Sequence, residues 1–115
     1  VFDVLLVIGL LAWRPEWALE GWYAVERLRA GAAERTVEVD GQRIAQLEAG
    51  PAEASAETPV IVLLHGFTAN KEVWLPLIAE LAKTHRVIAP DLPGWGESER
   101  VPGADYGVVA QSDRV

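Results

Sequence analysis

The sequence contains no cysteine and no methionine. The lack of cysteine rules out disulfides, thiolate metal sites and a cysteine nucleophile together, and leaves the redox compartment open. Basic residues are scarce: ten Lys and Arg stand against 17 Asp and Glu, for a net charge of -7. A nucleic-acid surface gathers Lys and Arg against phosphates, so this balance argues against a nucleic-acid partner. The acidic residues show no spacing typical of a metal site, and neither a metal nor a cofactor is expected. A long hydrophobic run is missing as well. Val4 to Ala12 is nine uninterrupted apolar or Gly residues, between Asp3 and Arg14-Pro15. Crossing a hydrocarbon core takes about 20 helical residues.

What is present suits one small globular domain. The chain has 115 residues, half of them apolar and 23% charged, enough for a single core and too few for two. It begins inside an apolar run without an initiator Met. It ends a few residues into a helical pattern (Val109-Ala110-Gln111 onward) with no stop signal. The expectation is therefore a piece of a longer protein.

Residues 1–30 read differently from the rest. If apolar sequence continues upstream of Val4, the run becomes a signal-anchor or the core of a signal peptide. Glu16 to Arg29 has amphipathic helical spacing, with Trp17, Trp22, Val25 and Leu28 mostly on one face. Four of the seven Trp and Tyr residues fall here (Trp13, Trp17, Trp22, Tyr23), as they do where chains meet lipid headgroups. Membrane association through this segment is the expectation, with the side of the membrane unread. The alternative is a packed N-terminal helix of a soluble or secreted protein.

Gly31-Ala32-Ala33 closes the helical part. Thr36-Val37-Glu38-Val39 alternates like a half-buried strand, and Asp40-Gly41 suits the positive φ angles of a tight hairpin. Arg43 to Leu47 is the returning strand, and Gly50 to Pro59 reads as a surface loop. Val60 to Leu64 is an unbroken aliphatic run, the pattern of a parallel strand buried on both faces. Trp74, Leu77, Ile78, Leu81 and Ala82 recur at helical spacing, predicting a helix over about Glu72 to Lys83. Pro76 belongs in a first turn, so the regular helix is expected to begin near Val73 or Trp74. Val87-Ile88-Ala89 is a second buried strand, closed by Pro90 to Ser98. Strand, helix and strand with short links form a βαβ unit, whose two strands are parallel and joined by a right-handed crossover. Preceded by a hairpin, this unit makes a mixed α/β sheet.

These residues carry a resemblance. A buried strand ending in His65-Gly66-Phe67, a helix with an early Trp, and Arg86-Val87-Ile88-Ala89-Pro90-Asp91-Leu92-Pro93-Gly94-Trp95-Gly96-Glu97-Ser98 resemble strands three and four of the α/β-hydrolase fold. The run His65 to Trp74 is most similar to the monoacylglycerol-lipase-like and bacterial lipase branch, whose members often carry an N-terminal membrane anchor. The resemblance covers about Thr36 to Val115. It implies the N-terminal portion of an α/β-hydrolase domain over residues 36–115, preceded over residues 1–30 by the membrane-anchor or signal-like segment and amphipathic helix read above.

The resemblance also implies roles. Acyl transfer passes through a tetrahedral oxyanion, and each N–H donor aimed at it is worth about 2.7–4 kcal/mol. In this fold one donor follows the nucleophile and the other lies in the loop after strand three, which corresponds to the Phe67 N–H. Gly66 would leave room for substrate against the backbone, and the Phe67 ring would line the acyl pocket. His65 is not the expected general base, because the triad runs nucleophile, acid, His along the chain; its expected role is to brace the loop. Gly94 and Gly96 would supply tight turns held by Asp91 and Ser98. Ser98 is not the expected nucleophile, since no Gly-x-Ser-x-Gly occurs in the sequence. The triad is expected outside this chain, so the chain alone is expected to be inactive. His85 reads as a solvated residue between helix and strand.

Three functions follow. The first is a serine ester hydrolase acting on small-molecule esters, in particular acylglycerols or related lipids at a membrane. The second is a hydrolase of the same fold with an Asp nucleophile, an epoxide hydrolase or dehalogenase. The third is a non-catalytic truncated product.

Overall fold

The computed structural model describes residues 2–115. Two helices come first, α1 (Phe2–Trp13) and α2 (Glu16–Ala30). Arg14-Pro15 separates them, since proline withholds a backbone donor and starts a new helix rather than continuing the old one. Helix α2 ends on Gly31, whose φ of 63° turns the chain so that the Ala32 N–H reaches back to the Arg27 carbonyl at 2.9 Å, while the Gly31 N–H donates to that of Leu28 at 3.1 Å.

Strand β1 (Ala33–Val39) turns through Asp40-Gly41 into β2 (Gln42–Ala49), with Val39 paired to Gln42. Both turn residues have positive φ, 51° and 76°, the geometry that matches the twist of the flanking strands. Strand β3 (Val60–Val62) and strand β4 (Arg86–Pro90) pair in parallel, and β4 also pairs antiparallel with β2. The sheet order is β1-β2-β4-β3, a mixed sheet. Between β3 and β4, a 3-10 turn (Lys71–Trp74) leads into α3 (Leu75–Leu81), and α4 (Val108–Arg114) ends the chain.

The core lies between one face of the sheet and helices α2 and α3. Leu47, Val87 and Ala89 from the sheet meet Ala30, Leu75, Ile78 and Ala82, with Tyr23, Leu63 and Trp74 around the edge. The opposite face is open. There Ile44, Gln46, Val62, Leu64, Ile88 and Pro90, together with Arg114 and Val115, line a depression of about 410 Å³.

Two expectations need correction. The 60–64 segment is not a strand buried on both faces. Only 60–62 is strand, and Val60, Val62 and Leu64 are exposed. An aliphatic run reports what each side chain prefers, not what covers it. Period-two alternation sends Leu63 to the core and its neighbours to the open face. The helix after it does not span 72–83 either. Its first residues form the 3-10 turn, and the α-helix runs Leu75–Leu81 with Pro76 in its first turn.

Helix α2 is amphipathic with its apolar face outward. Tyr23, Glu26, Arg27 and Ala30 face the domain, while Trp17, Trp22, Val25 and Leu28 are exposed, Leu28 by 82%. In α1 every large apolar side chain from Val4 to Trp13 is exposed. Among the described residues, no helix is long and apolar enough to cross a membrane.

Candidate active site

Two loops at one end of the parallel strands meet each other: residues 65–71 after β3 and residues 91–98 after β4. In open α/β sheets the carboxyl ends of the strands are where ligands bind.

His65 is buried at the start of the first loop. Its Nε2 accepts from the Leu92 N–H at 2.9 Å, which leaves the proton on Nδ1 to be donated to the Gly66 carbonyl at 2.9 Å. Both ring nitrogens are thus occupied, and the imidazole ties the first loop to the second. A ring so engaged has no free lone pair with which to take a proton.

Gly66 to Ala69 forms a tight turn, the Ala69 N–H donating to the Gly66 carbonyl at 3.1 Å. Its third residue, Thr68, has φ of 63°. A β-branched side chain there is strained, by about 1–2 kcal/mol. Around the Gly66 Cα nothing lies within 4 Å of the position a Cβ would take, so the backbone is open on that side. Phe67 is 81% exposed. Its ring meets Trp95 edge to face, with centroids 5.1 Å apart. Among the described residues, nothing accepts a hydrogen bond from the Phe67 N–H.

The second loop is organised by Asp91, which is fully buried. Its own N–H donates to the Ala45 carbonyl at 2.8 Å, fastening it to β2. Its Oδ1 accepts from the Lys71 N–H at 2.7 Å. Its Oδ2 accepts from the Lys71 ammonium at 2.8 Å and the Glu97 N–H at 2.9 Å. The Ser98 hydroxyl donates to the Asp91 carbonyl at 2.6 Å and accepts from the Ala45 N–H at 3.0 Å. That hydroxyl is buried and used on both sides, which describes a brace and not a nucleophile. Gly94 and Gly96 both have positive φ. A side chain on Gly94 would collide with the Tyr106 ring, and one on Gly96 with the Asp91 carboxylate, so glycine is required by contact as well as by conformation. His85 hydrogen-bonds the Thr84 hydroxyl at 2.7 Å, away from both loops.

Lys71 is the residue the sequence reading missed. Its side chain has no solvent exposure. Besides Asp91, its ammonium meets Glu72 at 2.9 Å and Glu34 at 3.1 Å, and Arg27 of α2 reaches Glu72 at 3.7 Å. Burial alone would lower the Lys71 pKa and is the largest single influence on it. The hydrogen bonds and charges of Asp91 and Glu72 together outweigh burial and raise it. Glu97 is pushed up to about 7, first by its hydrogen bond with Glu34 and then by burial, while Glu34 is lowered by the same bond. Glu34, Glu72 and Glu97 bring one oxygen each within 4.8 Å of one another. That is a spacing that could hold a cation, but the Lys71 ammonium already pairs with all three, Glu34 and Glu72 closely and Glu97 at 3.9 Å. No pattern in the sequence marks Lys71; the cue was a lone lysine at the edge of an apolar helix.

Comparison with known proteins follows this geometry. A family described as alpha/beta hydrolase fold matches residues 59–115. A solved structure described as a membrane phospholipase A, a novel bacterial virulence factor, aligns over 99% of this chain and 36% of its own, at 38% identity and a TM-score of 0.78. Monoacylglycerol lipase ABHD6 of Mus musculus is 35% identical over 57 residues, covering 50% of this chain and 17% of its own. Haloalkane dehalogenase of Mesorhizobium japonicum is 41% identical over 54 residues, covering 47% and 17%. The chain thus spans about a sixth of each of these two curated relatives and about a third of the solved one.

Proposed function

The chain belongs to the alpha/beta hydrolase fold family, and we propose that it supplies the oxyanion side of a carboxylic ester hydrolase acting on acylglycerols or related lipids at a membrane. The observation that carries this reading is the Phe67 N–H, unpartnered among the described residues, on a strained turn held between two fixed points. A backbone donor left free in a rigid loop suits charge that exists only in the transition state, because it needs no reorganisation when the charge forms. Gly66 leaves the approach open, and the Phe67 and Trp95 rings offer an apolar wall to an acyl chain. The names of the phospholipase and of the monoacylglycerol lipase support an ester substrate.

A donor that acts through its backbone survives a change of side chain. In the full-length enzyme, Phe67→Ala is expected to shift acyl-length preference. Phe67→Pro deletes the N–H and is expected to lower kcat by roughly 10²–10³, with a smaller change in KM. Kinetics on p-nitrophenyl esters, with circular dichroism to establish folding, check this. A folded Phe67→Pro enzyme with near-normal kcat removes the role.

A second reading, halide or epoxide chemistry through an Asp nucleophile, is favoured by the dehalogenase relative. Labelling of the full-length enzyme by a fluorophosphonate supports the ester reading. Halide release without labelling supports the other.

Membrane attachment rests on α1 and the outer face of α2, which turn Trp13, Trp17 and Trp22 to solvent. The likeness to the membrane phospholipase takes in both helices. Attachment by apolar insertion is expected to persist through a high-salt wash, which releases ionically bound protein. Removing everything before Thr36 is a blunt probe, because it also strips Ala30 from the core and Arg27 from Glu72. Joint replacement of Trp17, Trp22 and Leu28 by Ser is the cleaner release test. A protein that washes off in salt with these residues intact overturns the attachment.

A further inference from the structure

We infer that Lys71 is a positioning residue for the oxyanion loop: it holds the far end of the His65–Lys71 segment on Asp91, and so sets where the Phe67 N–H points. The inference rests on the reading of that N–H given above, and adds the device that aims it.

The two ends of the segment are fastened to adjacent residues. His65 takes the Leu92 N–H at one end, and Lys71 takes the Asp91 carboxylate at the other. Asp91 is itself fixed to β2 through its N–H and through Ser98, so the reference point is the sheet. Lys71 uses both of its donors on one carboxylate, the backbone N–H on Oδ1 and the ammonium on Oδ2. A side-chain ion pair alone leaves a long, jointed chain between charge and backbone. The second bond removes that freedom and locks the backbone of residue 71.

Between the two fastenings sits the one strained residue of the loop, Thr68 at φ 63°. A strained backbone persists only where its surroundings over-determine it. Freed at either end, the turn has a lower-energy conformation to relax into, and the Phe67 N–H rotates with it. Stability by itself accounts poorly for a lysine here. Burying an ammonium among carboxylates costs about as much in lost hydration as the attraction returns, and apolar replacements of such groups are often neutral or stabilising. What an apolar side chain of the same size cannot do is hold the other oxygen of the Asp91 carboxylate, and so keep Oδ1 aimed at the residue-71 N–H.

The test uses the full-length enzyme, with kcat expressed per active site titrated by a fluorophosphonate. A purely structural lysine changes the number of active molecules and the melting temperature, and leaves each surviving molecule with normal kcat and normal affinity for a boronate transition-state analogue. For the positioning role, Lys71→Met is expected to lower per-site kcat by about 10–100-fold with KM within about threefold, the cost of a misplaced catalytic group. Boronate affinity is expected to fall by the same factor, and Lys71→Arg to recover part of both. If Lys71→Met does not fold, Asp91→Asn decides by the same measurements. It leaves Glu34 and Glu72 to hold the ammonium and keeps one oxygen for the Lys71 N–H, while its NH2 replaces the oxygen that the ammonium and the Glu97 N–H shared. A folded variant with normal per-site kcat and boronate affinity overturns the inference, provided Phe67→Pro is impaired. Should Phe67→Pro itself keep normal kcat, the oxyanion reading fails first and the inference falls with it.

Discussion

The region around Lys71 and the two N-terminal helices invert the usual arrangement of side chains in opposite directions. Around Lys71, Asp91 and Glu72 the charges are inside and nearly every polar atom has a partner. Along α1 and the outer face of α2 the apolar side chains are outside and touch little. The first arrangement is closed: its ammonium, carboxylates, N–H groups and hydroxyl satisfy one another, so it needs nothing further. The second is open, because extended apolar surface in water favours whatever covers it. Net charge and mean hydropathy see neither. The difference lies in whether each group meets its complement within the chain. Substitutions in the closed region should therefore alter folding and catalysis, and those in the open region should alter attachment alone.

The largest expected effect tests the closed region directly. Asp91→Ala removes the nearest carboxylate from a fully buried ammonium and unseats three donors. It is expected to destabilise the full-length protein by about 3–5 kcal/mol in urea unfolding. A cost below about 1 kcal/mol would mean that Glu34 and Glu72 suffice and that the region is less tightly closed than its geometry suggests.

A smaller effect is expected at Glu97, on the rim of the same cluster. Glu34 and burial push its carboxyl up to about 7 in the folded protein, against an ordinary value of 4.5. Between those values the folded state keeps a proton that the unfolded chain has released. Its contribution is therefore most favourable below the unfolded value and is lost as pH rises toward about 7. Glu34, whose carboxyl is lowered, works in the opposite sense and loses its contribution as pH falls. Glu97→Gln cannot titrate and can donate to Glu34. It is expected to flatten the fall in melting temperature over this range and to exceed the parent at pH 8. Parallel curves for the two proteins would remove the shared proton from the account.

The smallest effect on stability is expected in the open region. Leu28→Ser on the outer face of α2 is expected to change unfolding free energy by no more than about 0.5 kcal/mol. Partition onto lipid vesicles should weaken about tenfold with the loss of one inserted leucine. Equal binding by parent and variant would indicate that α2 does not insert this face.

Much of the fold was legible because it rests on local pattern. Asp40-Gly41 marked a two-residue hairpin since its positive φ angles are a property of those residues. Pro76 and Gly31 marked helix ends for the same kind of reason. The pair of motifs around His65 and Asp91 pointed to the hydrolase fold and to the loop that carries Phe67. Burial was less legible. The Val60–Leu64 run promised two covered faces where the described residues cover one, and the Trp-rich stripe of α2 said that a face was apolar without saying which way it turned.

The sequence by itself thus determined the elements, their order, and the two loops that meet at the strand ends. Those depend on residues close together in the chain, where period, proline and glycine act. Only the tertiary structure decided that Lys71 would be buried, that Asp91 would receive both its N–H and its ammonium, and that α2 would turn Tyr23, Arg27 and Ala30 inward and its tryptophans outward. Each of those pairs residues from separate elements, and no local preference encodes a contact whose energy exists only once the sheet has brought its partners together.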